Sequence, residues 1–257
     1  MFMQKLRLDG RKAVVTGGGR GIGLACVEAL AESGATVIIA DYDIAVAREG
    51  AKEMAAKGYK VEVHEVNVTD PTAVTKLADD LNKAHGLIDI MVANAGIARS
   101  GTAAEDTTDE HWLDVINVNV NGVFWCCRAF GKHMLAAKRG AIVTIGSMSG
   151  FIVNFPQKQS YYNASKAAVH HLTRSLATEW ADRNVRINSV APTYIETPLT
   201  KFAAETPGML DHWLKMTPQG RLGQPDEIAS VVQFLASDAA SLMTGSIVLA
   251  DGGYSSW

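Results

Sequence analysis

The sequence predicts an α/β fold built on a parallel, doubly wound sheet of about seven strands with helices on both faces. Short apolar runs alternate with longer segments of helical periodicity, and no low-complexity segment or Pro/Gly/Ser-rich linker interrupts them. Strands that alternate with helices form right-handed βαβ units and pair in parallel, with both sheet faces covered. The predicted strands are 12–16, 35–40, 59–66, 88–93, 141–146, 185–190 and 246–250.

Length, charge and cysteine content narrow the class of protein. A single domain over 1–257 is expected, because a chain of this length can bury one large core. The net charge of −3 and the lack of a basic run argue against a nucleic-acid surface. No stretch has the length of a signal peptide or a membrane span, which predicts a cytoplasmic location. Cys26, Cys126 and Cys127 form no metal or disulfide pattern, so no metal site is predicted.

A glycine-rich turn lies between the first predicted strand and the first long predicted helix. The segment 16–23 has the sequence TGGGRGIG, after the apolar run 13–15 and before the helical stretch 24–32. Glycines allow a tight turn and a close approach of the backbone to a pyrophosphate, which the helix N-terminus then faces. The spacing differs by one residue from the G-x-G-x-x-G of the common fingerprint. The turn predicts a Rossmann-type dinucleotide site.

An acidic residue follows the second predicted strand. Asp41 stands about twenty residues after the glycines, where a carboxylate binds the adenosine ribose hydroxyls and repels a 2′-phosphate. This predicts NAD as the cofactor. Arg20, inside the turn, could pair with a 2′-phosphate and permit NADP as a weaker or dual cofactor, whereas Tyr42 adds no positive charge.

A tyrosine and a lysine are spaced four residues apart in a helical segment. Tyr162 and Lys166 would be neighbours across one turn, and the ammonium would lower the pKa of the phenol from about 10. Such a phenol can exchange a proton with an alcohol or a carbonyl. Tyr161, five residues from the lysine, is expected to pack elsewhere.

Five motifs then occur together in one order. They are TGGGRGIG at 16–23, NAG at 94–96, NVNG at 119–122, a serine at 147 and YNASK at 162–166. In these motifs the sequence resembles the short-chain dehydrogenase/reductase family over 16–253. The resemblance implies that Asn119, Ser147, Tyr162 and Lys166 are catalytic.

The resemblance also implies a role for each of these residues. Tyr162 would take the alcohol proton, and Lys166 would lower the pKa of that tyrosine while binding the nicotinamide ribose. Ser147 would hold the reacting oxygen. Asn119 would position a water that links Lys166 to solvent.

Further residues would contact the cofactor by the same resemblance. They are Gly17, Arg20, Ile22, Asp41, Asn67, Val68, Asn94, Gly96, Tyr162, Lys166, Pro192, Ile195 and Thr197. The sequence departs from the family pattern at four positions: Asn67 replaces an aspartate, Ala93 an asparagine, Gly146 a serine and Thr193 a glycine. Asn67 could still accept a hydrogen bond from adenine through its amide oxygen. None of the four changes removes a catalytic group.

Neutral polar side chains surround the predicted catalytic serine. Together with Ser147 and Tyr162, the residues Ser149, Asn154 and Gln157 would bind the hydroxyls of a small polyol or ketose. The segment 197–216 is expected to form a lid, with Trp213 or Met216 as a wall. The stretches 146–157 and 217–229 resemble bacterial polyol dehydrogenases of the galactitol, sorbitol, arabinitol and xylitol type.

The predicted activity is therefore the NAD-dependent oxidation of a secondary hydroxyl of a sugar alcohol to the ketose, and the reverse reduction. A pentitol such as D-arabinitol or xylitol is the first expectation, with a hexitol next. A 3-oxoacyl carrier-protein reductase shares nearly every motif and remains an alternative, as does a non-catalytic NAD(H)-binding sensor. The resemblance also implies a homotetramer, and the apolar C-terminal segment that ends in Trp257 is expected to form a subunit contact.

Overall fold

The computed structural model describes residues 1–256, and the predicted contact at Trp257 lies outside them. Within this range the chain forms one sheet of seven strands, all paired in parallel. The strands are β1 (Lys12–Thr16), β2 (Thr36–Asp41), β3 (Val61–Glu65), β4 (Ile90–Ala93), β5 (Gly140–Ile145), β6 (Val185–Pro192) and β7 (Ile247–Ala250). Their order across the sheet is β3-β2-β1-β4-β5-β6-β7. The predicted α/β fold of Rossmann type is confirmed.

The helices cover both faces of this sheet. They are α1 (Phe2–Lys5), α2 (Gly21–Glu32), α3 (Ile44–Ala56), α4 (Pro71–His85), α5 (Asp109–Ile116), α6 (Val123–Ala137), α7 (Ser160–Trp180), α8 (Phe202–Glu205), α9 (Met209–Met216) and α10 (Pro225–Ala236). One core cluster joins the sheet to α4, α6 and α7, and a second joins it to α2, α3 and α10. In the described part of the chain, no helix is both long and apolar enough to cross a lipid bilayer.

Local sequence explains where several of these helices begin. Asp43 and Asp70 cap α3 and α4 by accepting hydrogen bonds from the first backbone N–H groups. The strand predicted over 59–66 is shorter, because β3 is an edge strand with only one neighbour and its side chains are half-exposed. The strand predicted over 185–190 instead continues to Pro192, where it pairs with β7.

The direction of winding changes between β1 and β4. The chain runs from β1 outward to β3, then crosses back and continues from β4 to β7 on the other side. In doubly wound sheets this change opens a crevice at the carboxyl ends of the two central strands, where ligands bind. The predicted cofactor, catalytic and substrate residues, which are described below, lie around this edge of the sheet.

One element was not expected from the sequence. Residues Asn117–Gly122 form a π-helix that joins α5 to α6 in one continuous rod. A π-helix widens the rod by one residue per turn and is frequent at functional sites. It carries Asn119 at its centre, with a fully buried side chain.

Candidate active site

The glycine turn after β1 takes a backbone conformation that other residues would resist. Gly17 and Gly21 have φ angles of +60° and +57°. A Cβ on Gly23 would overlap the carbonyl oxygen of Gly17, so the start of α2 packs directly on the turn. The side chain of Asn94, after β4, donates hydrogen bonds of 2.9 and 3.0 Å to the carbonyl groups of Thr16 and Gly17. The turn is thus held in a conformation that leaves the first N–H groups of α2 open to a pyrophosphate.

Asp41 lies beside this turn and is held in place by two backbone groups. Its Oδ2 accepts a 3.0 Å hydrogen bond from the Gly19 N–H, and its Oδ1 accepts one of 3.1 Å from the Asp43 N–H. Arg20 and Tyr42 are exposed next to it. The carboxylate therefore stands at the edge of the dinucleotide crevice with a fixed orientation, which fits the ribose of a bound nucleotide.

The other predicted cofactor residues lie mostly at strand ends around the crevice. Asn67 and Val68 follow β3, Asn94 and Gly96 follow β4, Pro192 ends β6, Ile195 and Thr197 follow it, and Ile22 lies in the first turn of α2. One expectation needs correction. The amide oxygen of Asn67 accepts hydrogen bonds from both the backbone N–H and the hydroxyl of Thr69, at 3.0 and 2.9 Å. Both lone pairs of that oxygen are used by Thr69, so any hydrogen bond from Asn67 to adenine would have to come from the amide N–H groups.

Tyr162 and Lys166 occupy one face of α7, as their spacing predicts. The Lys166 Nζ atom lies 5.6 Å from the centre of the Tyr162 ring and donates a 2.8 Å hydrogen bond to the carbonyl of Ile145, at the end of β5. Tyr161 packs elsewhere, fully buried with its hydroxyl on the carbonyl of Arg99. Lys166 is buried, and burial lowers its pKa to about 8.

The pKa of Tyr162 moves in the direction opposite to the one predicted. Burial raises it, and a hydrogen bond with the Ser147 hydroxyl only partly offsets that effect. Lys166 does not contribute the expected lowering; its ammonium donates to the Ile145 carbonyl, and burial lowers its own pKa. The two groups are adjacent, but desolvation dominates their protonation in this structure.

Ser147 stands just beyond β5, within a short buried turn. Its hydroxyl donates a 3.0 Å hydrogen bond to the Ser149 hydroxyl and accepts one of 3.1 Å from the Ser149 N–H. Its own backbone N–H donates to Nε2 of His170 at 3.4 Å. His170 was not among the predicted site residues. The spacing offered a signal, since it lies one further turn along α7 from Lys166.

Asn119 braces the cluster from the other side. Its Oδ1 accepts a 2.9 Å hydrogen bond from the Ile97 N–H, while its Nδ2 donates to the Ile97 carbonyl at 2.8 Å and to the Ser165 hydroxyl at 3.0 Å. The π-helix is therefore tied to the loop after β4 and to α7. Gly96 fits between them, because a Cβ there would lie 3.3 Å from Asn119 Oδ1 and 3.7 Å from Lys166 Nζ. The expected water-positioning role of Asn119 stays a prediction.

The predicted substrate residues divide into two groups. Ser149 lies against Ser147, as described, and is buried. Gln157 does not offer a free amide, because its Nε2 donates to the Tyr194 hydroxyl at 2.9 Å and its Oε1 accepts from Trp213 Nε1 at 3.1 Å. Gln157 is thus corrected from a substrate ligand to a support. Asn154 also donates to the Tyr194 hydroxyl, but its buried Oδ1 has no hydrogen-bond partner among the described residues.

Tyr194 joins the loop that follows Ser147 to the predicted lid. Its ring stacks on Trp213 of α9, with centroids 3.6 Å apart and planes 2° from parallel. Met216 and Phe202 pack around the same small apolar cluster. The segment 197–216 therefore contains α8 and α9 and is attached to the rest of the site at Trp213. Tyr194 was not predicted, and its only sequence signal was its place just after a strand end.

No group of three metal-ligating side chains is found in residues 1–256. Cys26, Cys126 and Cys127 are buried and unpaired, and burial raises the pKa of each thiol. The site therefore consists of a fixed glycine turn, an oriented carboxylate and a cluster in which Lys166, Ser147 and Asn119 are buried and Tyr162 is half-buried.

Comparison with known proteins identifies relatives that span the chain. A family profile described as enoyl-(acyl carrier protein) reductase matches residues 17–255. A galactitol 2-dehydrogenase of Rhizobium johnstonii is 54% identical over 256 residues, covering 100% of this chain and 99% of that protein. A galactitol 2-dehydrogenase (L-tagatose-forming) of Cereibacter sphaeroides is 50% identical over 251 residues, covering 98% and 97%.

Solved structures agree with these matches. The crystal structure of gox2181 superposes with a TM-score of 0.98 at 55% identity, covering 100% of both chains. A gluconate 5-dehydrogenase of Burkholderia cenocepacia J2315, in complex with NADP and tartrate, gives a TM-score of 0.95 at 34% identity, again over 100% of both chains. With the glycine turn, the Tyr162–Lys166 pair and these full-length matches, the chain belongs to the short-chain dehydrogenase/reductase family.

Proposed function

We propose that the protein oxidises a secondary hydroxyl of a sugar alcohol to the ketose with NAD, and catalyses the reverse reduction. The observation that carries the proposal is the buried, neutral polar surface beside Tyr162. There the hydroxyls of Ser147 and Ser149 adjoin each other, and the unpartnered Oδ1 of Asn154 lies on the same loop. Hydroxyl groups and a free amide oxygen suit a substrate rich in hydroxyls. The names of the two galactitol dehydrogenases support galactitol as the first substrate to test, ahead of the pentitols.

The chemistry follows from the placement of three side chains. Ser147 would turn its hydroxyl proton from Ser149 to the reacting oxygen and so orient the alcohol, and Tyr162, as the phenolate, would take the alcohol proton. The empty site favours the neutral phenol, so the proposal requires that Lys166, whose Nζ lies 5.6 Å from the centre of the Tyr162 ring, favours the phenolate through its positive charge once cofactor and substrate are bound. A nicotinamide bound in the crevice would accept the hydride from the substrate carbon. The protein's own contribution is to fix the alcohol and the proton acceptor in one orientation in a desolvated site.

The crevice supports NAD as the preferred cofactor. The glycine turn would hold the pyrophosphate, and Asp41, fixed by two backbone N–H groups, would bind the adenosine ribose. Arg20 is exposed beside it and could pair with a 2′-phosphate, and the related gluconate 5-dehydrogenase structure holds NADP. Both cofactors therefore belong in the test, with NAD expected to be the better.

The segment 197–216 is proposed as a lid over the substrate. The proposal is supported by the contacts of α9 with the rest of the site, which are the Tyr194–Trp213 stack and the Trp213–Gln157 hydrogen bond. Both contacts are made by Trp213, so α9 could move away from the site as one unit when they break.

We also propose a cytoplasmic homotetramer. Exposed apolar side chains on α5 (Trp112, Leu113) and on the edge strand β7 (Leu249) support subunit contacts. Sedimentation of the purified protein tests the assembly.

A polyol panel tests the activity. Purified protein is mixed with NAD or NADP and with galactitol, sorbitol, D-arabinitol, xylitol and smaller polyols at about pH 9, where loss of the alcohol proton favours oxidation. The expected result is formation of reduced cofactor with galactitol and NAD. If no polyol reacts while a 3-oxoacyl thioester is reduced efficiently, the acyl reductase is the correct assignment; a 3-oxoacyl-[acyl-carrier-protein] reductase of Thermotoga maritima is 38% identical to this chain. Cofactor binding without any turnover would indicate the sensor.

A further inference from the structure

We propose that His170 is a positioning residue for the reaction, which fixes the backbone of Ser147 by accepting its N–H at Nε2. The two atoms lie 3.4 Å apart, and the two residues are 3% and 7% exposed, so no bulk water competes for this contact. The inference rests on the proposed function, because it concerns the serine that would hold the reacting oxygen. His170 itself touches neither substrate nor cofactor in this scheme.

The turn that carries Ser147 is shaped around the imidazole. A Cβ on Gly146 would lie 2.5 Å from His170 Nε2, and a Cβ on Gly150 would lie 2.5 Å from its Cε1. The ring of Phe151 packs on the imidazole with centroids 4.6 Å apart. Glycines therefore stand at both places where the turn meets the ring. The glycine at 146, one of the departures from the family pattern, is explained by the volume of this side chain.

Burying the imidazole of His170 is energetically unfavourable. Burial, together with the positive charges of Lys166 and Arg174, lowers the pKa of His170 to about 4, so the ring is neutral at neutral pH. Because Nε2 accepts a hydrogen bond, the proton must sit on Nδ1, which is buried without a partner in the described part of the chain. Nearly all buried polar atoms have partners. An apolar side chain would avoid that unpartnered nitrogen, so the advantage of histidine lies at Nε2.

The expected effect is on the transition state more than on binding. Without the Nε2 acceptor the Ser147 N–H is left unpaired, and the turn can shift to find another partner. The Ser147 hydroxyl would then be misplaced relative to the reacting oxygen. Because the hydrogen bond between them is strongest in the transition state, its loss lowers kcat more than it weakens substrate binding. We expect kcat to fall about tenfold, with KM and the cofactor dissociation constant changed less than twofold.

The test compares three single variants of the full-length protein. His170→Met keeps the volume and removes the acceptor, His170→Gln offers an oxygen near the position of Nε2, and His171→Met alters the exposed neighbour on the same helix as a control. We expect kcat to fall about tenfold in His170→Met and to lie within about threefold of the wild-type value in His170→Gln. His171→Met should have the wild-type kcat. The thermal midpoint of His170→Met should not fall by more than about 3 °C, since the unpartnered Nδ1 is removed as well.

Amide hydrogen exchange gives a readout that does not depend on the substrate. Peptides containing Ser147 should exchange at least about tenfold faster in His170→Met than in the wild type, and His170→Gln should restore protection. Equal loss of kcat and thermal stability in the methionine and glutamine variants, or unchanged exchange at Ser147, would overturn the inference. If the wild type turns over no polyol but the exchange result holds, the proposed function fails and the positioning contact stands.

Discussion

The cofactor side and the substrate side of the crevice are built in different ways. On the cofactor side, side chains bond to backbone groups: Asp41 accepts from the Gly19 and Asp43 N–H groups, and Asn94 donates to carbonyl groups of the glycine turn. On the substrate side, side chains hold other side chains, as where Asn154 and Gln157 both donate to the hydroxyl of Tyr194. The cofactor side therefore depends on residues, such as glycine, that can adopt the backbone conformation of the turn. The substrate side depends on each side chain of the network being present.

The largest effect should separate chemistry from cofactor binding. Tyr162→Phe removes the proton acceptor and is expected to lower kcat by about 10³-fold. The dissociation constant for NADH, measured by fluorescence titration, should change less than threefold, because the glycine turn and Asp41 are untouched. Tyr161→Phe is the matched control, because the hydroxyl of Tyr161 bonds only to the backbone groups of Arg99 and Thr102. An equal loss of NADH binding in Tyr162→Phe would break the distinction between the two sides.

The second test uses His170, which packs against the turn that carries Ser147 on the substrate side. The folded protein keeps His170 neutral down to about pH 4, while the unfolded chain takes up a proton below about pH 6.5. The free energy of unfolding should therefore fall as the pH drops through this window, by about 2 kcal/mol between pH 7 and pH 5. Urea unfolding at both pH values measures it. His170→Met should lack this contribution and His171→Met should retain it; identical pH dependence in all three proteins would contradict the assignment.

The third test concerns the cofactor side. Asp41→Ser removes the charge that repels a 2′-phosphate, and a hydroxyl can still accept from the Gly19 N–H. The ratio of kcat/KM with NADP to that with NAD should rise on the order of 30-fold, or about 2 kcal/mol. Asp43→Ser is the control, because serine also caps α3 and the position faces the helix instead of the crevice. An unchanged ratio in Asp41→Ser would show that Arg20 or another group decides the preference.

The smallest expected effect tests the side-chain network. Tyr194→Phe keeps the stack on Trp213 but leaves the amide donors of Asn154 and Gln157 without their shared acceptor. The free energy of unfolding should fall by about 1–2 kcal/mol, and KM for the polyol should rise about fivefold while NADH binding is unchanged. Tyr59→Phe is the control, because Tyr59 is half-buried just before β3, at the end of the sheet away from the crevice, and it should change neither quantity. A polyol KM equal to that of the wild type would show that this network does not shape the substrate site.

The same difference explains what could be predicted from the sequence. The strands, the glycine turn, Asp41 and the Tyr162–Lys166 face follow from local patterns, in which the residues that matter are neighbours in the chain or one helical turn apart. Tyr194 was missed because its partners are 37 and 40 residues away, and nothing in the local sequence records such a pairing. For the same reason Gln157 was expected to face the substrate.

Two further errors have energetic causes. The pKa of Tyr162 was expected to fall because a positive charge lies nearby, but sequence does not give the depth of burial, and desolvation is the larger effect. The amide oxygen of Asn67 was expected to be free, but it is used by Thr69 within its own turn. In both cases two interactions compete for the same group: burial and a nearby charge at Tyr162, and Thr69 and adenine at Asn67. The sequence does not show which of the two is stronger.

The π-helix at Asn117–Gly122 has a consequence for insertions and deletions. Removing one residue there would restore an ordinary α-helix and narrow the turn that carries Asn119. The rod would be more regular, and its backbone hydrogen bonding would improve. Yet Asn119 would no longer meet Ile97 and Ser165 together. A sequence redesigned for helix regularity alone would thus lose these hydrogen bonds even if Asn119 were kept, so the local irregularity must be preserved together with the side chain that it positions.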